Sequence, residues 1–396
     1  MSGPYHGGVL RMLSAAAALS TLGAVPAFLL GAQFVLVEED LALDERHLGI
    51  AVGVFFAAAA LASHPAGSMA DRLGHRASTL VAGALSFIAA LIVAVVARGT
   101  TGLLVGLGLA GVANAALQMT ANASLARSIP RHRQGIAFGI KQSAVPLAIL
   151  MGGLAVPAVG LAVGWRWTYG VLALCAALVM LLAMRSGSSV STTPSTMALD
   201  SDRAPRGALV LTAVATTLAN GAANSLGAFL PAWTYSLGVS AGTSGLFLAL
   251  CAAVCVAARI LSGAAGDRRS GRNIPWVAVQ MTIGAIGFVL LAQGDVPLVV
   301  LGALIAFGFG WAWPGLLIFA VVRVGRDRPA RASSAVQAGG FAGGAAGPPL
   351  FGWLIVTTSY ETGWLVAASL LLAAAALLMY CRRLFLRDIR LRPPAN

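Results

Sequence analysis

Charge is what this chain has least of. Asp, Glu, Lys and Arg make up 10% of its 396 residues, against about a quarter in a soluble globular domain. Lys141 is the single lysine. Acidic side chains number 13, and each lies in a predicted loop or at the end of an apolar run, never in the middle of one. With 58% hydrophobic residues and a mean hydropathy of +0.86, these shortages exclude a soluble protein and define a membrane protein. The formal net charge of +13 does not indicate nucleic acid, because the basic residues separate by membrane side and do not gather on one face. Four cysteines (Cys175, Cys251, Cys255, Cys381) fall in or beside apolar runs with no pairing framework, and read as packing residues. No cluster of His, Asp, Glu or Ser marks an enzyme site, and no sensory or output domain marks a receptor. No cofactor, metal or nucleic-acid partner is expected. Met1 to Arg11 lead into an apolar run without a cleavage site, so the first span is expected to stay uncleaved.

What the chain does have is apolar runs of membrane-spanning length, about 20 residues each. These predict spans near 12–37, 47–68, 77–97, 101–126, 134–160 and 166–184, then 207–233, 243–265, 274–292, 297–322, 333–357 and 362–381. The stretch 185–206 is the only one rich in Ser, Thr, Asp and Pro, and it divides six spans from six. The expected organisation is an N-terminal six-helix bundle (1–184), a cytoplasmic linker (185–206) and a C-terminal six-helix bundle with a basic tail (207–396).

Arginine tests that layout. The termini and even-numbered loops hold 21 arginines and the odd-numbered loops hold three (Arg46, Arg98, Arg166). Cytoplasmic loops collect basic residues, so both termini are expected on the cytoplasmic side of the cytoplasmic membrane. The first loop on the other side, VEEDLALDER, is acidic.

The halves also repeat. GSMADRLGHR at 67–76 returns as GAAGDRRSGR at 263–272, with Asp71 and Asp267 separated by 196 positions. Arg127 and Arg323, Gly31 and Gly227, and Lys141 and Gln337 share that offset. Either aspartate can cap or face a neighbouring helix N-terminus. Spans five and eleven are both rich in glycine and proline, which permits close helix approach. The G-x-x-x-D-R-x-G-x-R pattern resembles the loop between helices two and three of the major facilitator superfamily, whose echo lies between helices eight and nine. The resemblance covers the whole chain. It implies an all-α transporter of twelve transmembrane helices in two pseudo-symmetric bundles. It also implies a gating loop made of Gly67, Asp71, Arg72, Gly74 and Arg76, with Asp267 and Arg268 in its second copy.

Two basic residues lie inside spans. Lys141 is eight residues beyond Arg133, and Arg259 is eight before Asp267. Both therefore sit at similar depth, about 12 Å from their anchors. A charge there costs at least ~2.5 kcal/mol, and no carboxylate in the spans can offset it, so a bound anion is the simplest partner. In the family fold, spans five and eight face each other across the central cleft. ARILSGAAGDR is similar to the eighth span of the oxalate–formate antiporter and monocarboxylate transporter groups. That similarity implies that Arg259 holds a substrate carboxylate. The chain departs from those groups at Cys255 and Gln337, where they carry an aspartate and a lysine.

The structural readings are that Arg259 pairs with Asp267 or with helix-end carbonyls, and that Lys141 snorkels to the surface. Asn114, Gln118 and Asn122 on span four, and Asn220 and Asn224 on span seven, recur at four-residue spacing and can line a cavity or join helices. Trp311 and Trp313, before Pro314, can wall an apolar part of the site. Trp165, Trp167, Trp233 and Tyr235 suit the membrane interface. His64 is a packing residue or a proton site. The expected protein is a monomeric secondary transporter of a small organic anion. The alternative is a drug or metabolite efflux antiporter, although span five has Val145-Pro146 where drug exporters usually carry Gly-Pro.

Overall fold

In the computed structural model residues 5–126, 140–185, 205–268, 273–324 and 329–391 are described, and over these residues each predicted apolar run is helical. Among the described residues, ten helices are long and apolar enough to cross a membrane. One, Glu45–Val96, has 52 residues, about 78 Å at 1.5 Å per residue and far beyond one bilayer core. It is spans two and three joined. The helix Pro329–Thr357, 29 residues long and less apolar, is span eleven. The molecule therefore has twelve spans in two bundles of six.

The joint between spans two and three corrects the expected ten-residue loop. Helical backbone continues through most of Gly67 to Arg76, and the chain breaks only at Gly74, with φ 73° and ψ 174°. A side chain there would be strained, and glycine removes the obstacle. Gly164, at φ 103°, makes the equally abrupt turn between spans five and six. Span two starts at a capping box in which Asp44 accepts the backbone N–H of His47 and the His47 ring pairs with the Asp44 backbone.

Small residues set how closely the two bundles approach. A Cβ built on Gly31 of span one would lie 2.7 Å from Ala228 Cα of span seven. Built on Gly49 of span two it would lie 2.4 Å from the Pro348 carbonyl oxygen of span eleven, and on Gly153 of span five 2.4 Å from that of Gly245 in span eight. Without a hydrophobic force between helices in lipid, such backbone contact is what holds them. These contacts lie towards the end of the molecule that carries the acidic first loop. At that end Tyr360 of span twelve also donates to Glu45 Oε1 of span two at 3.2 Å. The bundles are thus sealed against each other at the acidic-loop end.

Several interface readings are corrected here. Trp233 is buried, donates to the Leu291 carbonyl and stacks on Tyr360 with ring centroids 4.9 Å apart. Trp165 is buried too and donates to Asp40 Oδ2 at 3.2 Å. Trp167 and Tyr235 do face outward. Arg166, one of the three arginines on the acidic side, pairs with Asp40 at 2.5 Å. Three of the cysteines are buried, one is intermediate, and all are free, as packing residues are.

Candidate functional site

Two prolines shape the site before any polar side chain does. Proline has no N–H, so the carbonyl four residues before it loses its helical partner. Pro146 orphans the Gln142 carbonyl, and the helix of span five is interrupted at Ser143. Pro314 orphans the Gly310 carbonyl, and span ten unwinds between Trp311 and Trp313 after a π-helical turn over Ala306–Gly310. Trp313 Nε1 donates to the Gly310 carbonyl at 2.8 Å. Arg259 Nε donates to the Trp311 carbonyl at 3.0 Å, and Arg259 Nη1 donates to the Gln142 carbonyl. Arg259 is therefore anchored by helix-break carbonyls from both bundles, which is part of the structural reading of this residue. Its guanidinium carbon lies 6.0 Å from the Trp311 ring centroid.

Around this anchor the structure forms a cavity of about 90 Å³. Lys141 and Arg259 both line it, at 5% and 3% exposure, so neither faces lipid. No carboxylate is among its lining residues. Among the described residues nothing pairs with Lys141 Nζ or accepts from Arg259 Nη2, yet neither atom is sealed from the cavity. Asn114, Gln118, Asn220, Asn224, Trp311 and Gln337 line the same cavity. Asn114 Oδ1 is turned away from it, against Gly23 of span one, and has no hydrogen-bond partner. Phe28, Phe55, Phe56 and Phe341 supply an aromatic wall that sequence reasoning missed, since phenylalanine in a span carries no positional signal.

The repeat is written into the lining. Ala24 and Asn220, Phe28 and Asn224, Gln118 and Pro314, Lys141 and Gln337, and Val145 and Phe341 all face the cavity, each pair 196 positions apart. Corresponding residues of both halves converge, so the cavity lies on the pseudo-symmetry axis between the bundles.

The remaining candidates lie elsewhere. His64 is exposed and does not line the cavity, so the structure does not bring it to the site. Trp313 is fully buried and does not line the cavity either. Asp71, Arg72 and Arg76 are exposed around the Gly74 break, with Gly67 on the helix before it. Asp71 makes no capping hydrogen bond among the described residues and lies three residues before the Gly74 break. The side chains of Asn122's neighbours from 123 onward, and those of Asp267 and Arg268, lie outside the described residues. So does most of the 185–206 linker. Among the described residues no group of three or more His, Cys, Asp or Glu is placed to hold a metal.

Twelve helices in two repeated bundles, with a central chamber on their axis, define the architecture of a multi-pass membrane transporter. The chain belongs to the Major Facilitator Superfamily, whose sequence profile matches residues 10–293 and again 209–395. It is 27% identical over 349 residues to a chloramphenicol resistance protein of Streptomyces lividans, covering 84% of this chain and 87% of that one. Its fold is similar to that of a bacterial homologue of the human lysosomal transporter Spinster, captured in an inward-facing and occupied conformation. That match has a TM-score of 0.73 and 18% identity, over 98% of this chain and 99% of the other. It is also similar to a proton:xylose symporter of the same superfamily bound to 6-bromo-6-deoxy-D-glucose, with a TM-score of 0.71, 14% identity and 94% and 95% coverage.

Proposed function

We propose that this transporter carries a small organic anion, a carboxylate, across the cytoplasmic membrane by alternating access. One observation carries the reading: two cationic side chains, each with unpaired donors, face one chamber that no carboxylate lines. A buried charge without a partner is costly, and removing its counter-charge is worth several kcal/mol. An anion held between Lys141 and Arg259 supplies that counter-charge. Arg259 offers Nη2 while Nε and Nη1 stay on carbonyls, and Lys141 adds a mobile point charge from the facing span. The arginine distribution supports both termini on the cytoplasmic side, which puts the sealed acidic-loop end outside and the cavity's access inside. The two bundles, 1–184 and 207–396, then rock about the linker as a monomer, with the Asp71 and Asp267 loops governing the exchange.

Export of an antibacterial compound is the second reading, favoured by the 27% identity to the chloramphenicol resistance protein. Counterflow in proteoliposomes with mono- and dicarboxylates and with chloramphenicol separates the two. On the anion reading, Arg259→Ala abolishes carboxylate flux and Lys141→Gln weakens carboxylate affinity roughly tenfold or more, the effect of losing a charged hydrogen bond. Chloramphenicol exchange with no response to carboxylates, or full carboxylate flux in Arg259→Ala, overturns it.

A further inference from the structure

Asn220 and Asn224 stand one turn apart on span seven and both line the chamber. Asn220 Nδ2 donates to the Thr216 carbonyl at 3.1 Å, and Asn224 Nδ2 donates to the Asn220 carbonyl at 2.8 Å. A carbonyl only accepts, so the amide end that touches it is the NH2 end. Each Oδ1 is thereby turned the other way. No donor among the described residues reaches either Oδ1, and neither atom is sealed, although Asn224 as a whole is 4% exposed. Span seven thus presents two fixed acceptors to the chamber. The repeat-related positions on span one are Ala24 and Phe28, which offer none. The chamber is therefore polarised three ways: cations on spans five and eight, acceptors on span seven, hydrocarbon on span one.

We propose that the substrate is an organic anion bearing a hydrogen-bond donor, a hydroxyl or an N–H, away from its carboxylate, and that Asn220 and Asn224 select for that donor. This rests on the anion reading above. Water can hydrate both Oδ1 atoms in the empty chamber. A ligand that displaces the water without bringing a donor leaves them unpaired in a dry site, and sites of this kind discriminate strongly against the analogue that lacks the donor. At about 90 Å³ the cavity is well above the minimum for a single water molecule, which suits a short-chain acid.

The test is calorimetric titration of the purified full-length protein with two matched pairs, butyrate against 3-hydroxybutyrate and succinate against malate, and with 1,3-butanediol as the neutral counterpart. The hydroxylated acid is expected to bind roughly tenfold more tightly within at least one pair, and the diol not at all. Asn224→Leu and Asn220→Leu, checked for unchanged melting temperature without ligand, should erase that preference, with the hydroxylated acid losing affinity and the unsubstituted acid, relieved of facing unpaired acceptors, binding no more weakly than before. Equal affinities within both pairs in the wild-type protein, or a preference that survives both substitutions, overturns the donor inference and leaves the anion reading standing. Binding of the diol with no binding by any of the four acids overturns the anion reading and this inference together.

Discussion

Gly153→Ala places a methyl group in the seam between spans five and eight. On the present backbone the new carbon would lie 2.4 Å from the Gly245 carbonyl oxygen, 2.8 Å from the Ala249 nitrogen and 3.1 Å from Ala249 Cβ. Two of these three atoms belong to the backbone, so no side-chain rotation relieves the clash. Bringing the closest contact out to 3.0 Å requires the helices to part by about 0.6 Å. Overpacking of this kind costs about 1–3 kcal/mol. That cost falls on the conformation sealed at the acidic-loop end, because the opposite conformation parts these same helices. The equilibrium should therefore move towards the open acidic-loop end by roughly five- to 150-fold. Spin labels at Val163 and Leu246, both exposed beside the seam, in a cysteine-free background, read this as a longer inter-label distance in lipid nanodiscs. Gly170→Ala is the control, since its added carbon meets only the Trp167 side chain, at 3.7 Å. An unchanged distance distribution together with unchanged flux would show that the seam does not open in the transport cycle.

Three other outcomes are expected. Asp71→Asn should slow turnover in a flux assay with little change in substrate affinity, because Asp71 sits at the Gly74 break and far from the chamber lining; a large affinity change at constant turnover would contradict this. Trp313→Phe should lower the melting temperature by the equivalent of about 1 kcal/mol, because the Gly310 carbonyl loses its donor in a buried site; an unchanged melting curve would count against that bond. Glu38, in the acidic first loop, has its carboxyl pushed above the usual range by burial and then by Glu45, Asp44 and Glu39. The folded state therefore holds this proton more tightly than the unfolded one, and stability falls as pH rises through the window above the ordinary carboxylate value. Glu38→Gln should raise the melting temperature at neutral pH and flatten its decline with pH. Asp44 is shifted the other way, since its hydrogen bonds and pairing with His47 outweigh its burial. Its contribution is lost as pH falls, and the Glu38→Gln protein should keep that acid-side decline.

Much of the fold was legible because lipid leaves the backbone few options. A run of about 20 apolar residues in a bilayer must satisfy its own N–H and C=O groups, and only a helix does so within one segment. Number, length and order of the spans therefore follow from local composition. The 196-residue repeat then gives two like bundles, and the Gly74 break is local as well, since glycine is the residue that tolerates φ 73°. Lys141 and Arg259 stood out for the same reason: a charge in an apolar run needs an explanation wherever the run ends up.

Tertiary structure decided what those residues meet. Whether Lys141 and Arg259 face one chamber or lipid depends on helix rotation, and periodicity does not fix rotation when a span is apolar on every side. The Arg259 anchor joins Gln142 and Trp311, 117 and 52 positions away. The prolines reveal which carbonyls are orphaned, but only packing brings a guanidinium to them. Trp233 reads as an interface residue from its place at a helix end, yet Tyr360, 127 positions on, covers it. Local chemistry thus determined which groups want partners; close approach of backbones at glycine seams determined which partners they found.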